Sequence, residues 1–234
     1  MALPVLNSAK YTVVIPSTGT EIEYRPYTVK EEKILMIALE SKDQKMVLRS
    51  LKDVISNCVT QEVELDDFTL FDFETIFLAL RAKSVGEVVD LQLKCDDEKC
   101  SGVTPVAVNL EQIKLTEMPE SRTIFIDKKV GIIFKYPSIS IVEQYDQENA
   151  MENAFDMIVS CIDEIFDEDN VYDAKNETKE SLTTFVESLS TQQFAKVSDF
   201  FSKVPTLAHD VEFKCITCGK ENKIELKGLQ SFFT

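Results

Sequence analysis

The stretch Asp90-Leu91-Gln92-Leu93-Lys94-Cys95 reappears in diverged form as Asp210-Val211-Glu212-Phe213-Lys214-Cys215, at an offset of 120 residues. Lys83 and Lys203 keep the same offset. Each stretch alternates apolar and polar residues, as a half-buried strand does, and each ends at a cysteine. We therefore predict two diverged copies of one unit, at residues 1–115 and 116–234. The alternative is chance similarity between two short strands that both precede a cysteine.

The first half is predicted to contain a β-hairpin, three helices and a strand. Apolar residues alternate on both sides of the turn residues Ser17-Thr18-Gly19, which is typical of a hairpin. Thr28 and Glu31 have the spacing of a capping box, so a helix should begin near Val29. Apolar periodicity predicts the remaining elements, which are helices at about 47–58 and 70–83 and a strand at 88–94.

The second half shows the same order of elements. A hairpin is predicted at 123–134, and Ser140 and Glu143 repeat the spacing of the capping box. Helices are predicted at about 149–166 and 191–203, followed by the strand that ends at Cys215. The predicted fold class is α+β, with two pseudo-symmetric halves that each consist of a hairpin, helices and a zinc knuckle.

Four cysteines form two closely spaced pairs, and each pair lies at the tip of a predicted hairpin. Cys95 and Cys100 are separated by four residues, and Cys215 and Cys218 by two. Two loops that each present two thiolates can complete the tetrahedral four-sulfur shell that zinc favours. The sequence therefore predicts one structural Zn²⁺ shared by the two halves. A disulfide within each loop and free thiols are the alternatives, and a reducing compartment disfavours disulfides.

The other cysteines and the single histidine are not expected to bind the metal. Cys58 and Cys161 lie on or beside apolar helical faces without a neighbouring cysteine, so we interpret both as small buried hydrophobic residues. His209 precedes Cys215 by six residues and is the alternative ligand.

Composition indicates an ordered, acidic protein. The chain has 41 acidic and 25 basic residues, a formal charge of −16, and 44% hydrophobic residues. Such a charge repels phosphate backbones, so nucleic acid is not an expected partner. No segment has the roughly 20 consecutive apolar residues that cross a bilayer, and residues 1–10 do not resemble a signal peptide. We expect synthesis in the cytoplasm.

The sequence contains no recognisable catalytic or nucleotide-binding pattern. One histidine and no Gly-x-Ser-x-Gly motif argue against hydrolase chemistry, and phosphate-binding glycine loops are absent. An acidic stretch from Asp163 to Asp173 lacks the glycine and glutamate positions of a calcium loop, so we interpret it as a solvated loop. No enzymatic activity and no small-molecule substrate are expected. An enzyme would need chemistry at His209 or at an open metal position.

Several segments resemble a known family of proteins. Residues 15–19, 24–27 and 29–35, with the sequences IPSTG, YRPY and VKEEKIL, look like the N-terminal signature of the T4-type (myovirus) bacteriophage baseplate hub proteins. Residues 80–87 and the C-terminal stretch from Cys215 to Leu229 are similar to that family as well. The likeness therefore spans nearly the whole chain.

The resemblance implies a structural or assembly subunit of the central baseplate hub of a contractile-tailed phage. Its partners would be other hub and tail proteins, and its location would be the host cytoplasm during assembly and then the baseplate of the virion tail. The alternative is a hub assembly chaperone that is absent from the mature virion. The family names no catalytic residues to transfer to this chain. The four-residue gap between Cys95 and Cys100 is longer than in a common knuckle.

Overall fold

A computed structural model describes residues 8–41, 43–144 and 150–232 of the chain. The first elements are β1 (Tyr11–Val14), β2 (Glu21–Tyr24), α1 (Val29–Ser41), α2 (Gln44–Cys58), α3 (Leu70–Ser84), β3 (Val88–Lys94), β4 (Val103–Asn109) and β5 (Lys114–Leu115). The later elements are β6 (Thr123–Phe125), β7 (Gly131–Phe134), α4 (Ile139–Val142), α5 (Ala150–Ser160), β8 (Ile162–Phe166), β9 (Val171–Asp173), α6 (Lys179–Glu187), α7 (Thr191–Ser202), β10 (Leu207–Lys214) and β11 (Glu221–Lys227). The predicted α+β class is confirmed.

These elements form two compact units. The first unit contains the described residues up to Leu65, Phe71–Thr116 and the described residues from Thr206 onward. The second unit contains Asp66–Leu70 and Glu117–Pro205. The predicted halves, 1–115 and 116–234, divide the chain differently, because the hairpin β10–β11 belongs to the first unit. The predicted halves were defined by a repeat in the sequence, and this repeat stays a prediction.

In its described residues, the first unit combines three α-helices with three small antiparallel sheets. β1 pairs with β2, β3 pairs with β4, and β10 lies between β11 and β5. Side chains alternate between buried and exposed along β3, where Leu91 and Leu93 are buried. The most buried large side chains of this unit include Ile15, Ile22, Ile55, Phe71, Phe73, Ile76, Leu80 and Phe232.

The chain leaves and re-enters the first unit at two paired strands. Leu115 in β5 lies opposite Leu207 in β10. The Thr116 N–H donates to the Thr206 carbonyl at 2.9 Å, and the Thr206 N–H donates to Thr116 Oγ1 at 3.1 Å. Residues 117–205 are therefore an insertion between neighbouring strands of one sheet.

The second unit is built on a four-stranded antiparallel sheet in the order β6-β7-β8-β9. Its core joins this sheet to the helices, and Phe134 of β7 stacks on Phe200 of α7 with ring centroids 5.5 Å apart. Residues 66–70 belong to this unit because the Leu70 N–H donates to the Pro137 carbonyl and the Ile139 N–H donates to the Phe68 carbonyl. Among the described helices, none is both long and apolar enough to span a membrane.

The helix predicted at 149–166 is wrong in its second part. α5 ends at Ser160, and residues 162–166 form strand β8 between β7 and β9. Ile158, Ile162 and Ile165 fit a helical period, but β-branched residues also suit a strand, and pairing on both sides decides in favour of the strand. Position 149 lies outside the described residues.

The capping box predicted at Ser140 and Glu143 is also wrong. Ser138 is the N-cap of the short helix α4, so Ser140 lies inside that helix, and the Ser138 side chain makes no capping hydrogen bond. Strand β9 and helix α6 were not predicted from the sequence, and α6 is capped by Thr178. The predicted starts of α1 and α7 at 29 and 191 are confirmed.

A buried ion pair fixes the entry to α1. Glu31 is 3% exposed, and its carboxylate accepts hydrogen bonds from Arg25 Nη2 at 3.0 Å and from the Thr28 N–H at 2.8 Å. Arg25 also donates to the carbonyl oxygens of Pro26 and Asn57. Burial raises the pKa of Glu31, but the hydrogen bonds from Thr28 and Arg25 outweigh it and lower this pKa to about 2. The segment 24–31 is thereby tied to the end of α2.

We predict that Glu31→Gln destabilises the protein by on the order of 3 kcal/mol, because it leaves Arg25 without its carboxylate. A carboxyl with a lowered folded-state pKa contributes stability above its ordinary pKa of 4.5, and this contribution is lost as the pH falls towards about 2. Urea unfolding should therefore show a gap between wild type and variant at neutral pH that closes on acidification. Glu32→Gln is the matched control and should have little effect. A gap of equal size near pH 2 would contradict the assignment.

Candidate metal centre

Two β-hairpins of the first unit bring the four predicted cysteines together. Cys95 directly follows β3 and Cys215 directly follows β10, and both hairpin loops close in the same way. The Cys95 N–H donates to the Gly102 carbonyl at 2.9 Å, and the Cys215 N–H donates to the Lys220 carbonyl at 2.8 Å. The two first cysteines therefore occupy equivalent positions in their hairpins.

The four sulfur atoms form one tight cluster. All four Sγ atoms lie within 4.8 Å of one another. Cys95 Sγ is 3.7 Å from Cys218 Sγ, and Cys100 Sγ is 3.8 Å from Cys215 Sγ. Tetrahedral zinc with Zn–S bonds of roughly 2.3 Å separates its sulfur ligands by about 3.8 Å, whereas a disulfide joins them at about 2.05 Å. The spacing fits four ligands around one ion.

An additional turn compensates for the longer gap in the first loop. The Cys100 N–H donates to the Asp97 carbonyl at 2.8 Å, and the Lys99 N–H donates to Asp97 Oδ1 at 2.9 Å. This turn absorbs the extra residues between Cys95 and Cys100. Both cysteines of the loop consequently reach the sulfur cluster.

Each hairpin accepts a hydrogen bond from the other hairpin through a buried polar side chain. The Asp96 N–H donates to Asn222 Oδ1 on β11 at 2.9 Å, and the Ile216 N–H donates to Thr104 Oγ1 on β4 at 3.2 Å. In each case the donor directly follows the first cysteine of one hairpin. Each acceptor is buried on the second strand of the other hairpin.

The two hydrogen bonds between the hairpins are equivalent under a local twofold exchange of the hairpins. Thr104 lies opposite Leu93, Asn222 lies opposite Phe213, and residues 93 and 213 keep the offset of the sequence repeat. Exchanging the hairpins also turns the sulfur pair of Cys95 and Cys218 into the pair of Cys215 and Cys100. Neither Thr104 nor Asn222 was predicted from the sequence as a contact residue. The available signal was a single small polar residue at a core-facing position of each second strand.

Backbone amides favour negative charge on the sulfur atoms. The Gly102 N–H lies 3.4 Å from Cys100 Sγ, and the Thr217 N–H lies 3.4 Å from Cys215 Sγ. The N–H groups of Cys218 and Thr217 lower the pKa of Cys215 to about 6. For Cys218, the Lys220 N–H lowers the pKa, but burial and the sulfur atoms of Cys100 and Cys215 raise it more, so the net shift is upward. One thiolate forms easily, and further thiolates need a compensating cation.

The two hairpin loops pack so closely around the sulfur cluster that position 102 requires a glycine. A Cβ on Gly102 would lie 2.5 Å from Thr217 Oγ1 and 2.9 Å from Cys215 Sγ. Thr217 Cβ would lie only 2.7 Å from the new atom, so rotation of the Thr217 hydroxyl would not relieve the clash and the loop that carries Cys215 would have to shift. Gly102 therefore allows the two loops to approach each other.

The remaining cysteines lie outside this cluster. Cys58 and Cys161 are fully buried, which confirms their interpretation as buried hydrophobic residues, and burial raises the pKa of Cys58 to about 11 and that of Cys161 to about 12. His209 lies in β10 opposite Leu226. In the part of the chain that the structure describes, the cluster of metal-ligating groups does not include His209.

Comparisons with known proteins agree with the resemblance seen in the sequence. The family described as T4 bacteriophage base plate protein matches residues 8–234. The "Baseplate hub assembly protein gp26" of Enterobacteria phage T4 is 26% identical over 213 residues, which cover 91% of this chain and 92% of that protein. No solved structure matches the chain.

We predict that Gly102→Ala weakens zinc binding about 10- to 100-fold, because the new methyl group displaces Thr217 and the sulfur of Cys215. Competition with a coloured zinc chelator measures the affinity. Ser101→Ala is the matched control, since Ser101 is an exposed neighbour in the same loop. Unchanged affinity in Gly102→Ala would show that the loops can separate without disturbing the sulfur cluster.

Proposed function

The chain belongs to the T4 bacteriophage base plate protein family, and from this premise we propose that it is a structural or assembly subunit of the central baseplate hub, held together by one zinc ion on Cys95, Cys100, Cys215 and Cys218. The observation that carries the hub role is the match along nearly the whole chain, both to the family and to a relative named as a hub assembly protein. This match confirms the family predicted from the sequence motifs.

The geometry of the sulfur cluster supports zinc as the metal. Four cysteine ligands at tetrahedral spacing are typical of structural zinc sites, and soft thiolates select zinc over magnesium or calcium. Backbone N–H groups point at Cys100 and Cys215, as thiolate ligands require. All four cysteines are free thiols, and Cys95 and Cys100 each approach a sulfur of the other hairpin, at 3.7 and 3.8 Å, which argues against the disulfides considered for each loop.

A site with four protein ligands serves structure rather than catalysis. All four tetrahedral positions are taken by cysteine, so no position is open for water or substrate. The baseplate family is a structural one, and a non-enzymatic role follows from the same reasoning. The zinc would bind β3–β4 to β10–β11 and so hold together segments that are distant in sequence.

The proposed partners are other hub and tail proteins of the same phage. The relative's name supports a role in hub assembly. The charge of −16 disfavours nucleic acid as a partner. We place the protein in the host cytoplasm during assembly and in the tail baseplate afterwards. An assembly chaperone that leaves before the virion is complete is the second candidate, and the word "assembly" in the relative's name favours considering it.

We predict one zinc per chain and a purely cohesive role for it. Cys218→Ser should lower the zinc content, lower the melting temperature and weaken binding to purified hub subunits. Structural zinc contributes roughly 10–16 kcal/mol in small zinc domains, but a chain with its own core depends on it less; a loss of about 3 kcal/mol corresponds to roughly 6–12 °C for this size. Elemental analysis, thermal unfolding and a binding assay with hub subunits measure the three effects.

Cys58→Ala is the control for this experiment, because Cys58 is a buried cysteine outside the cluster. It should retain one zinc per chain even if its stability falls slightly. Full-strength hub binding by a protein that is shown to be free of zinc would contradict the proposed role of the metal.

We also predict that the protein is retained in purified virions at a fixed ratio to the hub subunits. Quantitative mass spectrometry of virions purified through a density gradient measures this ratio. Abundance in infected cells together with absence from virions would favour the chaperone instead. Absence of any association with hub subunits in both samples would overturn both candidates.

A further inference from the structure

Helix α1 exposes an unusually apolar surface. Residues 34–39 are all apolar, yet Met36, Ile37 and Leu39 remain 57%, 49% and 56% exposed, while Ala38 of the same run is buried. A helix that is apolar on all sides is normally covered on all sides. Several neighbouring apolar side chains in water mark an interaction surface rather than scattered exposure.

The exposed residues of α1 form a stripe that is complementary to itself. Lys33, Met36, Ile37 and Glu40 have the spacing i, i+3, i+4, i+7, so they lie on one helix face, and all four are exposed. Two copies of this face that meet antiparallel, centred between Met36 and Ile37, place Lys33 of each copy beside Glu40 of the other. Met36 of each copy then meets Ile37 of the other. A twofold interface has this pairing of i with j and of j with i.

The charge around α1 permits such an approach. Residues 29–53, which include α1 and most of α2, contain six basic and five acidic residues, whereas the rest of the chain contains 19 basic and 36 acidic residues. Charges farther than a Debye length, about 8 Å at physiological salt, are largely screened. Two acidic chains can therefore meet at this nearly neutral segment without the repulsion that would act elsewhere.

We infer that α1 is a self-association surface, on which a second copy of this chain docks its own α1 in the antiparallel, twofold arrangement. The helix has 13 residues and a length of about 20 Å, so the contact is small. Interfaces of this size give weak, concentration-dependent dimers. The inference goes beyond the proposed hub role and does not depend on it.

Charge exchange at the two ends of the stripe tests the arrangement. Lys33→Glu and Glu40→Lys should each raise the dimer dissociation constant about tenfold, because the twofold axis places two like-charge contacts in every dimer. The double variant Lys33→Glu/Glu40→Lys should restore the wild-type constant. Sedimentation equilibrium over a concentration series at physiological salt measures all four proteins.

These charge variants distinguish a local pairing of Lys33 with Glu40 from a general effect of net charge on self-association. The two single variants change the net charge in opposite directions, so an effect of overall repulsion would weaken one dimer and strengthen the other. The exchange also places an acid nearer the start of α1 and a base nearer its end, which suits the helix dipole. Circular dichroism and zinc content should match wild type in every variant.

Apolar variants test the centre of the stripe. Ile37→Ser should weaken the dimer at least tenfold, whereas Val171→Ser, which changes an exposed valine of the second unit, should leave the dissociation constant unchanged. A wild-type protein that stays monomeric at all concentrations would overturn the inference, as would a double charge variant that does not recover. If Ile37→Ser abolishes binding to hub subunits but leaves self-association intact, the surface belongs to a hub partner and the inference is wrong.

Discussion

The approach of four cysteine sulfur atoms to within 4.8 Å of one another determines how the two hairpins of the first unit fit together. Thiolates at this distance repel one another. The Lys220 N–H has the largest single effect on the pKa of Cys218 and lowers it, but burial and the sulfur atoms of Cys100 and Cys215 together raise this pKa, beside the easily ionised Cys215. A divalent cation bound between the sulfur atoms would replace this repulsion by attraction. Two features of the loops allow the sulfur atoms to lie this close together. Gly102 lacks a Cβ that would clash with the other loop, and the turn at Asp97 folds the longer loop back towards the cluster.

The hydrogen bonds from Asp96 to Asn222 and from Ile216 to Thr104 show that the hairpins recognise each other apart from any metal. Both acceptors are buried, and each of these hydrogen bonds contributes on the order of 0.5–1.5 kcal/mol to holding the hairpins together. These hydrogen bonds therefore hold the two loops together in addition to any contribution from a bound metal. A cation that binds there adds stability to an arrangement that the chain already favours.

Sequence patterns predicted the parts of this structure whose signals are local. Strand β3, the starts of α1 and α7, and the four clustered cysteines follow from alternation, capping residues and spacing. Strand β8 was predicted as a helix because Ile158, Ile162 and Ile165 have helical spacing, although β-branched residues also suit a strand, and only the pairing of β8 with β7 and β9 reveals the strand. The hairpin contacts of Thr104 and Asn222 depend on residues more than 100 positions away, which no local pattern records.

The two cysteine pairs can share one sulfur cluster even though residues 117–205 are inserted between them. Closing a longer loop costs little extra, on the order of 0.6 kcal/mol for each doubling of its length. The pairing of β5 with β10 and the contacts between Thr116 and Thr206 already hold the two ends of the insertion together. The hairpin β10–β11, which carries Cys215 and Cys218 in its loop, therefore re-enters the first unit beside β5. A long interval between Cys100 and Cys215, which is unusual for a classical zinc finger, is consequently no obstacle to a shared site.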